Sequence, residues 1–385
     1  MGYRPIENES DKKILDWVDR LKDRFICSVR ELVSIDSVES EAFEGAPFGT
    51  GVKRALECAL DISGRLGFET VNLDNYMGYA QYGKGEDYVC AIGHVDVVPA
   101  GEGWKQPPFG GYEENGVIYS RGVLDNKGPV LACLYGLAAI KEAGLELKNP
   151  VRIIFGCDEE TGFEDLKYYL SKERPPLYGF TPDCKYPVVY SERGRAVVRI
   201  TGSMEQLESF FGFVNKYFIG ASNTGDRLGI DFCHEEYGMM EMRGYKLSVD
   251  PDSLGNRKQT AFDVTLSYPG GVTIDEIMKR ICGKAEAEGL KARLLQNFDP
   301  VVFPKDTPMV KAMQESYELV TGLDGTPVTT TGGTYAKAMP GIVPFGPSFP
   351  GQKGISHNPN EWMSEKDLIA NAKIYGLALY RLGQL

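Results

Sequence analysis

The histidines of the chain limit where imidazole chemistry can take place, because there are only three: His94, His234 and His357. His94 lies in the segment GHVDVVP, which also contains Asp96. Residues i and i+2 of a strand point to the same face, so one of this pair could bind a metal ion while the other orients it. The pattern is also common by chance, and it needs further ligands nearby to acquire meaning.

Acidic residues follow predicted strands elsewhere in the chain. Asp125 lies in SRGVLDNKGP ahead of a predicted helix, where an Asp is often only a helix cap or a turn residue. Asp158, Glu159 and Glu160 come directly after an apolar run in FGCDEETG. Like charges this close repel one another unless a cation or water compensates them, although a solvated turn would also explain them. Adjacent side chains diverge, so one glutamate could bind a metal ion while the other holds a water molecule.

Two later segments complete a set of ligands that suits divalent metals. Asp183 lies in TPDCKYP and His357 in KGISHNPNEWM, and each is unremarkable alone. Carboxylates and imidazoles are the ligands that zinc and related metals prefer. Five residues would suffice for two ions that share one carboxylate: His94, Asp125, Glu160, Asp183 and His357. Such a pair can polarise a carbonyl and activate a bridging water, whose proton Glu159 could take.

The predicted elements that position these residues belong to an α/β fold. Amphipathic patterns predict helices over 11–34, 50–66 and 128–144, and short apolar runs such as YVCAIGHVDVV and VRIIFGCDEE predict strands. Between about 195 and 300 two strand-helix units indicate a small α+β domain. The sequence therefore predicts a catalytic di-metal domain over 1–195 and 300–385, with a central mixed sheet and flanking helices. An α+β lid domain over 196–299 is inserted into it.

Composition excludes several classes of protein. The chain of 385 residues has a net charge of −12, which disfavours nucleic acid as a partner. It contains no apolar run long enough to cross a membrane, and its N-terminal segment MGYRPIENESDKK lacks the apolar stretch of a secretory signal. None of its eight cysteines forms a CxxC pair, which is typical of reduced thiols. We expect a cytoplasmic protein.

The motifs and their order resemble the M20 metallopeptidase family. The similar segments are GHVDVVPAGEGW, GVLDNKGP, DEETG, TPD and SHNPNEW. Within that family the chain looks most like the dipeptidase V and carnosinase-like branch, especially over TTTGGTYAKAMPGIVPFGPSFPGQKGISHNPNE. The resemblance covers nearly the whole chain, and it implies a zinc-exopeptidase-like catalytic domain with two Zn²⁺ ions, for which Mn²⁺ or Co²⁺ could substitute.

The resemblance also implies a role for each metal ligand. Asp183 would pair with His94 on one metal ion, and Glu160 would pair with His357 on the other. Asp125 would bridge the two ions and would be followed by a cis peptide bond.

Further roles implied by the resemblance concern catalysis and substrate binding. Glu159 would be the general base and acid, and Asp96 would orient the neighbouring imidazole. The loop that contains Gly332, Gly333 and Thr334 would face the substrate backbone.

The chain departs from the family in its lid. Relatives carry a lid histidine after the first lid strand, but here RAVVRITG runs directly into the predicted helix MEQLESFFGFVNKYF. We expect His234 to be a surface residue rather than a replacement. Ser267, in TLSYP, stands where relatives tend to place an arginine that binds the substrate carboxylate. Arg243 or Lys337 could substitute for that arginine. The lid is therefore predicted to be shortened.

Three hypotheses on function follow. The first is a metal-dependent dipeptidase, or a hydrolase of similarly small amides. The second is an N-acyl amino acid deacylase, because Ser267 replaces the carboxylate-binding arginine. The third is a metal-binding homologue with reduced or lost turnover, because of the shortened lid. A small dipeptide or amide is the expected partner, and the shortened lid leaves both a monomer and a dimer open.

Overall fold

The computed structural model describes residues 8–251 and 257–385, so the first seven residues of the polar N-terminal segment lie outside the described residues. The chain divides into two compact units. The first, here called the α/β unit, comprises Met1–Tyr190, Pro304–Val328 and Thr334–Leu385. The second, here called the α+β unit, comprises Ser191–Phe303 and Thr329–Gly333. Their assignment as catalytic and lid domains stays a prediction.

The helices of the described residues are numbered along the chain. They are α1 (Glu9–Val33), α2 (Thr50–Arg65), α3 (Lys127–Glu142), α4 (Glu164–Lys172), α5 (Leu207–Val214), α6 (Ile274–Ala287), α7 (Pro308–Thr321) and α8 (Glu365–Leu382). The predicted helices over 11–34, 50–66 and 128–144 correspond to the first three. None of the helices in the described part of the chain is both long enough and apolar enough to cross a membrane.

The strands are numbered in the same way. They are β1 (Glu69–Leu73), β2 (Met77–Tyr82), β3 (Val89–His94), β4 (Tyr112–Glu114), β5 (Val117–Tyr119), β6 (Val151–Gly156), β7 (Tyr178–Thr181), β8 (Cys184–Lys185), β9 (Val189–Glu192), β10 (Gly194–Ser203), β11 (Cys233–His234), β12 (Gly238–Met239), β13 (Glu241–Pro251), β14 (Arg257–Tyr268), β15 (Lys291–Phe298), β16 (Val301–Val302), β17 (Val328–Thr330), β18 (Ile342–Pro344), β19 (Pro347–Ser348) and β20 (Trp362–Ser364).

A six-stranded mixed sheet forms the centre of the α/β unit, in the order β1-β2-β6-β3-β7-β18. β3 runs parallel to β6 and β7, β18 runs parallel to β7, and β1 and β2 are antiparallel to their neighbours. Every residue of β3 and β6 is buried, as expected of parallel strands covered on both faces. The predicted fold class, a central mixed sheet with flanking helices, is confirmed.

The parallel strands bring the candidate ligands to one edge of this sheet. β3 ends at His94, β6 ends two residues before the acidic cluster, and β7 ends two residues before Asp183. Parallel strands have their carboxyl ends at the same edge, which is where sites of α/β sheets are found. The order of the strands therefore accounts for three of the five segments that carry candidate ligands.

The α+β unit has a four-stranded antiparallel sheet in the order β13-β14-β10-β15. It has its own core, to which α5 and α6 contribute Phe210, Phe213, Ile277 and Ile281. The Thr273 side chain caps the start of α6 by accepting a hydrogen bond from the Glu276 amide. The single helix predicted over MEQLESFFGFVNKYF is wrong in detail. It begins as a 3-10 turn, continues as α5 and ends in a π turn over Asn215–Ile219.

Candidate metal centre

His94 lies at the centre of the predicted ligands and is fully buried. Its Nε2 is 3.2 Å from Asp125 Oδ1 and 3.6 Å from Asp183 Oδ2. Its Nδ1 is 3.0 Å from the Asp96 carbonyl oxygen and 3.4 Å from Asp96 Oδ1. In the tautomer whose Nδ1–H donates a hydrogen bond to the Asp96 carbonyl oxygen, the Nε2 lone pair faces the carboxylates. A ligating histidine is commonly fixed in this way.

The Asp125 carboxylate faces two histidines, one with each oxygen. Oδ1 lies beside His94, and Oδ2 is 3.0 Å from His357 Nε2. The Asp125–Asn126 peptide bond is cis, as the resemblance implied. The Asn126 side chain donates to the Pro182 carbonyl at 2.6 Å, which connects this loop with the segment that contains Asp183. One carboxylate is thus placed between the two imidazoles.

His357 and Glu160 form the second side of the cluster. His357 Nε2 is 3.0 Å from Glu160 Oε1, and half of the His357 side chain is exposed. Its backbone has a φ of 61°, in the left-handed region that few non-glycine residues adopt. The Glu160 amide donates to Asp96 Oδ2 at 3.1 Å, so Asp96 contacts both sides of the cluster. The structure thus brings all five predicted ligands together, and their roles stay predictions.

Among the described residues, two overlapping groups of ligand atoms are compact enough to hold a metal ion. The groups are His94 with Glu159 and Asp183, and His94 with Asp125 and Glu160, and within each group the atoms lie within 4.8 Å of one another. His357 is outside both groups, although it contacts two of their members. Glu159 therefore lies as close to the His94 side of the centre as a ligand would.

The pKa values of residues in the centre are shifted because several acidic side chains lie close together and are buried. Burial and the charge of Asp183 raise the pKa of Glu159 well above its usual value. Burial, followed by the charge of Asp125, raises the pKa of Asp183 to about 6. Hydrogen bonds that the His357 imidazole donates to the carboxylates of Asp125 and Glu160 raise the pKa of His357 to about 10. A divalent cation would compensate this concentration of negative charge.

For His94 and Asp125, burial shifts the pKa in the opposite direction to the neighbouring groups. Burial disfavours the charged imidazolium of His94, yet the Asp96 charge and the neighbouring carboxylates raise its pKa well above the usual value. Burial likewise disfavours the Asp125 carboxylate, but the hydrogen bonds from His357 and His94 lower its pKa overall.

The loop that contains Glu159 and Glu160 is held by residues that the sequence analysis did not identify. Buried Asp165, at the start of α4, accepts hydrogen bonds from the Cys157 amide at 2.6 Å, the Asp158 amide at 3.0 Å and the Tyr335 hydroxyl. Asp158 itself accepts hydrogen bonds from the Thr161 hydroxyl and the Glu164 amide. Asp158 therefore shapes the loop rather than facing the metal centre.

Glu361 and Arg121 are two further buried residues whose contacts were not predicted from the sequence. The Glu361 carboxylate accepts a hydrogen bond from the Asp125 amide, and burial raises its pKa to about 7. The acidic residue was visible in SHNPNEW, but nothing in the sequence indicated what it would contact.

The predicted substrate loop divides between the two units. Gly332 and Gly333 belong to the α+β unit, whereas Thr334 belongs to the α/β unit. Thr334 is buried, and its hydroxyl accepts a hydrogen bond from the Ala336 amide at 3.2 Å. The role of the loop in substrate binding stays a prediction.

The residues at which a departure from the family was predicted lie in the α+β unit. His234 is exposed, as expected, and its Nδ1 accepts a hydrogen bond from the Glu236 amide at 3.1 Å. Ser267 is buried, and its carbonyl oxygen accepts a hydrogen bond from Arg193 Nη2 at 2.6 Å. Arg243 forms an ion pair with Glu241 at 2.6 Å.

Comparison with known proteins identifies the family. The model of peptidase family M20/M25/M40 matches residues 90–381. “Putative dipeptidase YtjP” of Bacillus subtilis is 29% identical over 464 residues, which cover 96% of this chain and 100% of that protein. That alignment is longer than this chain, so YtjP includes positions with no counterpart here.

Solved structures show the same fold. Human carnosine dipeptidase 1 has a TM-score of 0.75 at 16% identity, with 98% of this chain and 100% of that chain covered. Bacillus subtilis YXEP, described as a dinuclear metal-binding peptidase, has a TM-score of 0.61 at 15% identity, with 95% and 100% covered. The family model spans more than half of this chain. The chain therefore belongs to peptidase family M20/M25/M40 and is a hydrolase of peptide bonds.

Proposed function

We propose that this protein is a two-metal dipeptidase, which hydrolyses dipeptides or similarly small amides with Glu159 as its general base. The observation that carries the proposal is the Asp125 carboxylate, whose two oxygens face different histidines, His94 and His357. A carboxylate between two imidazoles has the arrangement that a bridging ligand needs. YtjP and human carnosine dipeptidase 1 are named as dipeptidases, which supports the substrate class.

The donor set fits two zinc ions. His94 and Asp183 would hold one ion and His357 and Glu160 the other, with Asp125 shared between them. Zn²⁺ accepts imidazole and carboxylate donors, as do Mn²⁺ and Co²⁺. When bound, two such ions polarise the scissile carbonyl and lower the pKa of a water molecule between them.

The protein's own part in the reaction is to move a proton. The Glu159 carboxylate takes a proton from the attacking water as the water oxygen bonds to the carbonyl carbon. The same group then delivers the proton to the amine nitrogen as the C–N bond breaks. Burial and the charge of Asp183 raise the pKa of Glu159, and a higher pKa makes its carboxylate a stronger proton acceptor. Asp96 keeps His94 in the orientation that its ligand role requires.

Substitution of Glu159 separates the proton transfer from metal binding. We expect Glu159→Gln to lower kcat for dipeptides by about 10²–10⁴-fold, because an amide cannot take up the proton. The zinc content should stay at two ions per chain, and removal of the metal with a chelator should abolish activity. The measurements are steady-state kinetics and metal analysis on the same preparations.

The matched control is Glu164→Gln, which changes an exposed acid at the first residue of α4, whose carboxylate pairs only with Lys167 among the described contacts. Its activity should equal that of the wild type. A metal-replete wild type that cleaves neither dipeptides nor N-acyl amino acids would contradict the proposal and favour the metal-binding homologue. Activity on N-acyl amino acids alone would favour the deacylase.

A further inference from the structure

A short strand pairing brings the loop of His357 beside the loop of Asp125. β20 pairs with β5, and Trp362 lies opposite Tyr119. The Ser120 amide extends the pairing by donating to the Glu361 carbonyl at 3.0 Å. The residue that precedes β20 is therefore placed next to the residues that follow β5.

The Glu361 side chain continues from this pairing toward the bridging carboxylate. It is fully buried, and its Oε1 accepts hydrogen bonds from the Leu124 amide at 2.9 Å and the Asp125 amide at 3.1 Å. A single carboxylate oxygen thus holds the backbone on the N-terminal side of Asp125. The same residue is only four positions after His357 in the chain.

Arg121 fixes the other oxygen of this carboxylate. Its Nη1 donates to Glu361 Oε2 at 2.6 Å, and only 1% of its side chain is exposed. The same guanidinium lies 3.2 Å from the Ala100 carbonyl oxygen and 3.4 Å from the Asn358 carbonyl oxygen. The Asn358 contact reaches the residue next to His357. The side chains of Glu361 and Arg121 therefore connect the two loops through four contacts.

We propose that Glu361 is a positioning residue for the metal centre, which sets Asp125 against His357 and thereby determines how tightly the second metal ion is held. The inference rests on the proposed two-metal function. The second ion is the one that His357 and Glu160 would hold together with Asp125. Of these three ligands, Asp125 and His357 lie in the two loops that Glu361 connects. The other ion takes His94 and Asp183 from strand ends, where the central sheet positions them.

A merely structural role would lower stability without changing metal affinity. A buried ion pair often contributes little net stability, because desolvation of the charges offsets their attraction. Residues that orient metal ligands, in contrast, typically change metal affinity by about 10–100-fold when they are replaced. Metal affinity measured on folded protein therefore distinguishes the two roles.

The test is a Zn²⁺ titration of the chelator-treated, full-length protein in competition with a chromophoric chelator. For Glu361→Ala we expect the first Zn²⁺ to bind with about wild-type affinity and the second to bind about 10–100-fold more weakly. Glu361→Gln should weaken the second ion as well, because its amide nitrogen would face the Arg121 donor.

The matched control is Glu173→Ala, which breaks the ion pair of Arg152 with Glu173, 2.9 Å between Nη1 and Oε2, in the same unit. Both zinc ions should bind this variant with wild-type affinity. Circular dichroism of the metal-free variants checks that they are folded. If Glu361→Ala does not fold, the Glu361→Gln titration decides in its place.

Wild-type affinity for both ions in a folded Glu361 variant would overturn the positioning role while leaving the two-metal function standing. The positioning role would also be overturned if Glu361→Ala and Glu173→Ala lowered the affinity for both zinc ions to the same extent, because the effect would then be general. A wild type that binds fewer than two zinc ions would instead overturn the proposed function.

Discussion

The three adjacent acids of FGCDEETG have three different surroundings. Asp158 is turned back to the amide of Glu164, Glu159 lies beside His94 and Asp183, and Glu160 contacts His357. Adjacent side chains of a loop cannot point in the same direction, so the cluster divides its charge between shaping the loop and facing the centre. This division explains why three like charges are tolerated within three positions.

Strand ends predicted the positions of His94, of the acidic cluster and of Asp183, whereas Asp125 and His357 were predicted from residue type alone. The residues that hold them could not be predicted in the same way. Glu361 binds an amide 236 positions earlier in the chain, and the Tyr335 hydroxyl binds Asp165, 170 positions away. Such contacts depend on the complete fold, and a buried Glu or Asp looks like any other acid in a single sequence.

Asp165 should make the stability of the metal-free protein depend on pH. Burial raises the pKa of Asp165 to about 7 from an ordinary value of 3.8. Between these values the folded chain keeps a proton that the unfolded chain has lost. The free energy of unfolding should therefore fall as pH rises from about 4 to about 7, by at most about 1.4 kcal/mol per pH unit from this group.

Asp165→Asn tests this dependence, because an amide does not ionise in that range. Urea unfolding of chelator-treated protein at pH 5, 6 and 7 should give a smaller loss of stability with pH for the variant than for the wild type. Other titrating groups contribute to both proteins, so the difference between the two slopes isolates Asp165. Equal slopes would show that Asp165 does not retain its proton in the folded state.

At the scale of elements, periodicity predicted the helices that cover the sheet because their apolar faces are regular. The segment MEQLESFFGFVNKYF has strong apolar character, yet it changes from a 3-10 turn through α5 to a π turn. Its aromatic side chains pack into the separate core of the α+β unit, where Phe213, Tyr217 and Phe218 are buried. Tertiary packing of large rings overrides a uniform helical period there.

Close packing of α3 against α8 depends on two glycines. A Cβ atom added at Gly136 would lie 2.6 Å from the Gly376 amide nitrogen and 2.9 Å from the Ala372 carbonyl oxygen. Backbone atoms cannot move aside without displacing a helix. Gly136→Ala should therefore lower the free energy of unfolding by about 1–3 kcal/mol, as measured by urea denaturation.

The matched control is Gly64→Ala in α2, where an added Cβ would meet nothing within 4 Å. It should raise stability by about 0.5–1 kcal/mol, because alanine is the better helix former. If both variants shifted the urea midpoint in the same direction, the close approach of α3 and α8 would not be the reason why position 136 requires glycine.

At the scale of the whole molecule, the chain combines two units with separate cores. All seven candidate catalytic and metal-binding residues belong to the α/β unit, which is built from three segments of the sequence. The shortening of the lid stays a prediction. The proposed metal ligands and the proposed general base therefore lie within one unit, whereas Ser267 and His234 lie in the other.

Metal should consequently stabilise the α/β unit and leave the α+β unit unchanged. A ligand that binds only the folded state adds about 2.7 kcal/mol at a free concentration of 100 times its Kd. Hydrogen exchange of amides in β3 and β6 should slow by about 100-fold at that zinc concentration, provided that they exchange through unfolding of their unit. Amides in β10 and β14 have their own core and no proposed ligand, so their exchange should stay the same. Mass spectrometry of peptides from both units, with and without a chelator, measures the two effects in one sample. Equal slowing in both units would show that they unfold together, and no change in either would show that zinc does not bind the folded centre.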